Sequence, residues 1–468
     1  MKKILYIFML PALALVFSGC SKWLEVNENP NQPSTAPLNG LLGYATNGTG
    51  LNMYRAAYPV SYYTQYLSSP NPASPTDVYE ETDQSSMWTN LYDVMTTIYD
   101  LDKQAQEAGA IYHQGIAKIL MAINLKIVHD LWGNAPHSQG FDISTLTPSF
   151  DDSKALYAKS LSLLDEGIAL LNGTGNKVTV AANMDFIHGG KNAAWILTAN
   201  AIKARLLNLV SKDASYNAAA VLTAVDNAYK SNSDDAQQVV FSVRNPWNQV
   251  AVNNAALVLD GWLSDQVIDA FNGTTFGVFD PRIRLFTDTT KYGDYRGTRN
   301  GVGRKGSGIN FEETYINTTG FYSSTNSPVV IASYAELKMI EAEAAFRSGN
   351  KARAYTAYLE GIRAHMNKMG VAAAARDTYL SHPSVAVGED GLTLKRIFDE
   401  KYKITLFQYE AFNDARRFDY GWTGFELPVN AALQSPPRRL VYPSVEISRN
   451  GANVPAVGGL LERLWWDK

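Results

Sequence analysis

The chain has 468 residues and a net charge of −4, with 46% hydrophobic and 18% charged residues. That balance supplies a large packed core and excludes a disordered chain, and the slight acidity argues against nucleic acid as a partner. The one cysteine, Cys20, leaves no intramolecular disulfide, so the fold must rest on packing alone.

In chain order, the first feature is a leader. Met1-Lys2-Lys3 is basic, Ile4 to Phe17 is apolar, and Ser18-Gly19 precede Cys20. This is the three-part layout of a secretory signal. The apolar run is shorter than the roughly 20 residues that a membrane span needs. A small-residue step ending in cysteine resembles the lipobox of bacterial lipoproteins. It predicts cleavage before Cys20, lipidation of its thiol and a membrane anchor. Residues 21–40, rich in Asn and Pro, read as a tether. Residues 41–468 are then expected to form one domain.

Helical periodicity dominates from Ser85. Trp88, Leu91, Tyr92, Met95, Ile98 and Tyr99 mark one helix; Ile116, Ile119, Leu120, Ile123, Ile127 and Leu131 mark a second; Leu156, Leu163, Leu164, Ile168 and Leu171 mark a third, opened by Asp151-Asp152. Residues 193–212 and 216–231 form a helix pair. The texture then changes: about 232–332 is rich in Gly, Asn, Thr and Tyr and weakly periodic, which predicts loops with a few short elements. Loops of that length are usually functional. Helices return at Ser333, which has capping-box spacing to Glu336. Gly349, Ala354, Tyr358 and Gly361 follow the spacing of a tetratricopeptide unit over 342–366. A long helix is expected over about 393–417, before a Pro-rich end. The fold class is therefore mainly α, with helical pairs supporting a loop-rich face.

Several motifs carry no chemistry here. Gly301, Gly303 and Gly306 match a dinucleotide fingerprint as text, but neither follow a strand nor open a helix. The adjacent carboxylates Glu80-Glu81, Asp151-Asp152, Asp234-Asp235 and Glu312-Glu313 do not by themselves provide two groups facing each other across a glycosidic bond. Six histidines lack the spacing of a helical metal site. No catalytic group, metal or cofactor is predicted.

The aromatic residues are the candidates for binding. The chain has 26 tyrosines and 9 tryptophans, side chains that pair a flat apolar face with a polar handle. One cluster contains Tyr54, Tyr58, Tyr62, Tyr63, Tyr66 and Tyr79. The other contains Trp247, Tyr292, Tyr295, Tyr315, Phe321 and Tyr322, with Asn248, Arg296 and Asn310 interleaved. Sugar rings can lie on such faces while amides and guanidinium groups take the hydroxyls. Helical spacing of Tyr58, Tyr62 and Tyr66 equally suits a packed helix face, so the loop cluster is the stronger expectation.

Six strings, in order, resemble the SusD/RagB family of Bacteroidetes surface lipoproteins. They are Trp88-Thr89-Asn90-Leu91-Tyr92; Asp130-Leu131-Trp132-Gly133-Asn134-Ala135-Pro136; Asp280-Pro281-Arg282 after Val267-Ile268-Asp269; Ser333-Tyr334-Ala335-Glu336-Leu337 through Glu341-Ala342-Glu343-Ala344; Tyr409 to Arg417; and Leu440-Val441-Tyr442-Pro443 with Glu446 and Asn450. The chain departs from the family pattern at Ser333, where Arg is common, and at Glu400-Lys401, where Glu-Arg is common. The resemblance implies a non-enzymatic, outer-membrane, lipid-anchored protein facing the cell surface. It would bind a nutrient, in this reading an oligosaccharide, and act as a lid on a TonB-dependent outer-membrane barrel. An envelope glycoside hydrolase, or a helical-repeat scaffold without ligand, remains the alternative.

Overall fold

The computed structural model describes residues 36–256, 261–305 and 312–468. The leader, Cys20, most of the tether (21–35), Gly306 and Asn310 lie outside the described residues. Among the described residues there are fifteen α-helices and four short strands, so the protein is mainly α-helical. None of these helices is long and apolar enough to cross a membrane.

The first helix, α1 (Leu38–Tyr63), begins inside the expected tether and was not legible from periodicity. Its glycines, small residues and Pro59 leave little amphipathic contrast. The reason is positional: α1 is buried on most of its sides, and such a helix has no polar stripe to reveal it. Next come α2 (Ser85–Ala108), α3 (Ile111–Leu131) and α4 (Ser153–Leu171), where periodicity placed helices. The Asp152 carboxylate caps α4 by accepting from the backbone N–H groups of Lys154 and Ala155. The α3–α4 crossing is set by two glycines. A Cβ on Gly167 would stand 2.9 Å from the Gly115 carbonyl oxygen, and one on Gly115 would stand 3.1 Å from the Gly167 oxygen.

The expected helix pair is α5 (Asn192–Leu209) with α6 (Ala218–Asp226). The weakly periodic region then contributes β2 (Ala236–Gln238), α7 (Pro246–Ala255), β3 (Trp262–Leu263), α8 (Asp265–Asn272) and β4 (Val329–Ala332). β3 pairs antiparallel with β1 (Leu67–Ser68), placing Leu67 opposite Leu263. β2 pairs antiparallel with β4, placing Ala236 opposite Ala332. β3 thereby ties the middle of the region to the segment after α1, while β2 and β4 close the region's two ends on each other.

The tetratricopeptide-like unit is α9 (Tyr334–Arg347) against α10 (Lys351–Met369). Ala354, Tyr358 and Gly361 are buried in it. Ser333 caps α9 by accepting from the Glu336 N–H at 3.2 Å. The Glu336 carboxylate instead takes the Arg205 guanidinium.

After α11 (Ala373–Ser381) and α12 (Gly388–Gly391), the expected single helix over 393–417 is two: α13 (Leu394–Ile404) and α14 (Glu410–Arg417). The break centres on Phe407, whose φ of +63° is left-handed. That conformation costs about 1–3 kcal/mol for a non-glycine residue. It is offset by sending the Phe407 ring into the core, 4.6 Å from Trp247 and 5.4 Å from Tyr322 between centroids. α15 (Ser444–Asn450) follows near the end.

Every residue of α14 is buried, and its Glu410, Asp414 and Arg417 find opposite charges on other elements. Lys126 on α3 bridges Asp130 and Glu410. Arg417 takes Glu343 at 2.7 Å and Asp414 at 2.6 Å. Burial alone would raise the Glu343 pKa; Arg417, with Arg347 and Lys401, outweighs it and holds the carboxyl well below the usual range. Five of the six strings singled out above meet in such contacts, while Asp280 and Arg282 of the third pair with each other and with Glu400. The Arg416 guanidinium donates to the Asp130 and Arg438 carbonyls, the Trp132 indole to the Val441 carbonyl, and the Trp88 indole to Glu446.

Candidate functional site: an aromatic groove on α1

On the solvent side of α1, a groove of about 310 Å³ is lined by Tyr54, Arg55, Tyr58, Pro59, Tyr62, Thr76, Thr82, Gln84, Ser86 and Met87. Spacing of three and four residues puts Arg55, Tyr58 and Tyr62, with Tyr54, on one helical face. The three phenol rings form a ladder. Tyr54 to Tyr58 is 5.9 Å between centroids at 45°, and Tyr58 to Tyr62 is 5.9 Å at 79°. The Tyr58 and Tyr62 hydroxyls lie 3.4 Å apart. Thr76, Thr82 and Gln84, from the segment between β1 and α2, and Ser86, in the first turn of α2, add hydroxyls and an amide along the other wall.

Trp247 on α7 backs the ladder. Its ring stands edge-on to Tyr54 at 5.0 Å and tilted to Tyr58 at 6.2 Å. Gly261 (φ +95°) brings the backbone beside Tyr58, since an added Cβ there would lie 3.6 Å from its hydroxyl and 2.7 Å from Val250. Burial, and then its Tyr58 neighbour, pushes the Tyr54 phenol above its ordinary pKa, so it is neutral across the physiological range. The positive charge of Arg55 is thus the one formal charge among the lining residues. Its Nη1 donates to Asn52 Oδ1 at 2.9 Å, the Asn52 amide donates to Asn124 at 2.9 Å, and Asn124 donates to Thr49 at 2.8 Å. A buried amide relay between α1 and α3 thereby holds the guanidinium in place. Burial is the main cause of a lowered Arg55 pKa, offset in part by Tyr44, Asp93 and Tyr54.

The expected site residues fall into three groups. Tyr62 lines the groove but is itself buried, at 2% exposure, so it forms the groove's floor. Trp247, Asn248, Tyr315, Tyr322 and Tyr66 are buried, at 5% exposure or less, where open loop positions were expected for the first four. Each has a packing task. Trp247 and Tyr322 share a cavity of about 20 Å³, room for one water and not for a sugar ring. Asn248 donates to the Thr318 and Ser323 carbonyls and so holds a turn. Tyr315 packs 4.4 Å from Trp262. Tyr66 stacks on Tyr402 at 4.6 Å and donates to its carbonyl. The third group is nearer the surface but does not line the groove. Tyr292, 55% exposed, lies between Lys291 and Arg296 and donates to Glu312 at 3.0 Å. Arg296 pairs with Asp294 at 2.6 Å. Tyr295 is 6.1 Å from Phe279, and Phe321, half-buried, is 4.9 Å from Tyr322.

Arg55, Thr76, Thr82, Gln84 and Met87 were not foreseen. Arg55 had a signal, one residue after Tyr54 and three before Tyr58. Thr76, Thr82 and Gln84 sit on a segment with no period, and Met87 lies in the first turn of α2.

Three of the four adjacent carboxylate pairs have structural partners, and Glu80-Glu81 is exposed. Asp151 accepts from the His137 and Ser138 N–H groups. Asp234 completes a capping box with Ser231, and Asp235 pairs with Lys368. Glu312 pairs with Lys291, and Glu313 accepts from the Lys305 N–H. Gly301 and Gly303 have positive φ and press against Val429 and Pro72. Among the described residues, no group of three or more His, Cys, Asp or Glu side chains converges.

A family model for SusD-like proteins, described as starch-binding and associating with the outer membrane, matches residues 30–443. A SusD homologue from Bacteroides fragilis superposes with a TM-score of 0.76 at 22% identity, covering 93% of this chain and 100% of that one. A chitin-binding SusD homologue from Flavobacterium johnsoniae gives a TM-score of 0.77 at 18% identity, covering 92% of this chain and 98% of that one. No curated protein matches the chain. The match over most of the length, and the helical architecture shared with these structures, lead to one assignment: the chain belongs to the SusD/RagB family.

Proposed function

We propose that the protein binds an oligosaccharide in the α1 groove and delivers it, as a surface lipoprotein anchored through Cys20, to a TonB-dependent outer-membrane barrel. The observation that carries the binding half is the Tyr54–Tyr58–Tyr62 ladder on an open groove edged by hydroxyls and an amide. Tyrosine faces accept the C–H face of a sugar ring while the polar edge takes its hydroxyls. The printed description of the family model, and the chitin-binding relative, support a glycan as the ligand class. The barrel and the anchor rest on the family resemblance and on the leader pattern. The groove lining contains a guanidinium and no carboxylate, so it has no acid–base pair for glycoside hydrolysis, which favours binding over cleavage.

Calorimetric titration of the purified protein against a panel of neutral and acidic oligosaccharides tests this. Saturable binding to at least one class, with the sugar recovered intact, is the expected result. Recovered hydrolysis products would support the hydrolase alternative. Binding to none, with retained association to a membrane partner, would support the scaffold.

A further inference from the structure

We propose that the ligand of the α1 groove is an acidic glycan, one carrying uronate or other carboxylate groups, and that Arg55 reads its charge. This rests on the groove being the glycan site. The chain's deeply buried guanidinium groups find their partners within the protein. Arg205, Arg282 and Arg417 each face two carboxylates, and Arg416 donates to backbone carbonyls and to Asn413. Arg55 has neither arrangement. It is half-buried, and among the described residues its one hydrogen bond goes to Asn52, while Asp93 acts on it only from beyond ion-pair distance.

A guanidinium carries five N–H donors in a planar fork that fits a carboxylate with two parallel bonds. Partial removal from water without a counter-charge is unfavourable for the free protein, and a ligand carboxylate removes that penalty on binding. The Asn52–Asn124 relay keeps the group oriented before the ligand arrives, so little ordering cost is left for the binding step. Arginine suits this role better than lysine, because it is more weakly hydrated and bidentate.

The test uses matched probes: tetragalacturonate and tetramannuronate, each beside its neutral methyl ester, with maltotetraose and chitotetraose as neutral references. Titration calorimetry is run on the wild type, Arg55→Gln, Arg55→Lys and Tyr58→Ala. At least one acid should bind about 10- to 100-fold tighter than its ester, the range expected of hydrogen bonds to a charged group. Arg55→Gln should abolish the difference, Arg55→Lys should keep part of it, and added salt should shrink it. Equal or tighter binding of the esters, or binding of neutral references alone, overturns the proposal. If Tyr58→Ala then removes that neutral binding, the groove still stands as the site. An acid preference that survives in Arg55→Gln also overturns it, because the charge is then read elsewhere. Binding of none of the six probes overturns both this proposal and the glycan reading.

Discussion

Replacing Trp247 by alanine should destabilise the protein substantially, although the residue lies in a region whose composition reads as loop. Its side chain is 3% exposed and packs on Phe407 at 4.6 Å, Tyr54 at 5.0 Å and Tyr58 at 6.2 Å. A buried aromatic side chain removes about 200 Å² from water, worth about 5 kcal/mol at roughly 25 cal/mol per Å². Truncations of buried Trp or Phe cost about 3–5 kcal/mol. At about 2.1 cal/mol/K per residue, a mature chain of 448 residues (468 less the 20-residue leader) has an unfolding entropy near 0.9 kcal/mol/K. Unfolding as one cooperative unit then gives a Tm lower by about 3–5 °C. Calorimetric melts and urea titration measure both quantities. A Tm within 1 °C of wild type and an unchanged urea midpoint would refute the packing argument. Glycan affinity should also fall in this variant, but through the loss of backing for Tyr54 and Tyr58 rather than of a contact with sugar.

Gly167→Ala should cost about 1–3 kcal/mol in urea titration, because the added Cβ meets the Gly115 carbonyl oxygen at 2.9 Å and Ile119 at 2.7 Å. Arg417→Met removes one of two cations from each of two buried carboxylates, leaving Arg347 on Glu343 and Lys401 on Asp414, and should cost about 1–3 kcal/mol at neutral pH. The wild-type Glu343 pKa lies below its ordinary 4.5, so its contribution is complete above that value and is lost as pH falls below it. The gap between Arg417→Met and wild type should therefore narrow in melts taken from pH 7 down toward pH 3; a constant gap would contradict the ion-pair account. Cys20→Ala should abolish incorporation of a labelled fatty acid and release the protein from the membrane fraction; continued acylation would rule out the anchor.

Much of the helical frame was legible because α2, α4 and α10 each bury one face and expose another, which writes a period into the sequence, whereas α3 and α9, buried along most of their length, were read from the large aliphatic side chains of α3 and the Ser333 cap of α9. α1 offered neither signal, since it is largely buried and its core-facing positions are mostly glycines, other small residues and Pro59 rather than large aliphatic side chains. The break at Phe407 was hidden because a left-handed phenylalanine is chosen by its tertiary pocket and not by its neighbours in sequence. The family strings were legible because they are the buried clamps between distant elements, such as Arg416 on the Asp130 carbonyl, and for the same reason they say little about the ligand. The aromatic candidates show the limit most clearly. Trp247 and Tyr292 look alike as residues in an irregular stretch, yet one backs the groove from the core and the other lies on the surface between Lys291 and Arg296. Exposure is a property of the folded chain, and composition carries no record of it. Tyr58 and Tyr62 read equally as packed or displayed, and the fold divides them: their rings pack on one another, with Tyr58 partly exposed on the groove and Tyr62 buried at its floor.

The central claim is that the tyrosine ladder on α1, and not the aromatic loop around Tyr292, is the glycan-binding surface. The most direct measurement is the affinity of one bound oligosaccharide for Tyr58→Ala, Tyr58→Phe and Tyr292→Ala, by calorimetry, with melts on the same samples. By analogy with bases stacked on aromatic rings, Tyr58→Ala should lose about 1–3 kcal/mol, a roughly 5- to 150-fold weakening. Tyr58→Phe, which keeps the ring face, should bind within a few-fold of wild type, and Tyr292→Ala should bind as wild type does. Full affinity in Tyr58→Ala together with loss in Tyr292→Ala would contradict the claim and move the site to the loop.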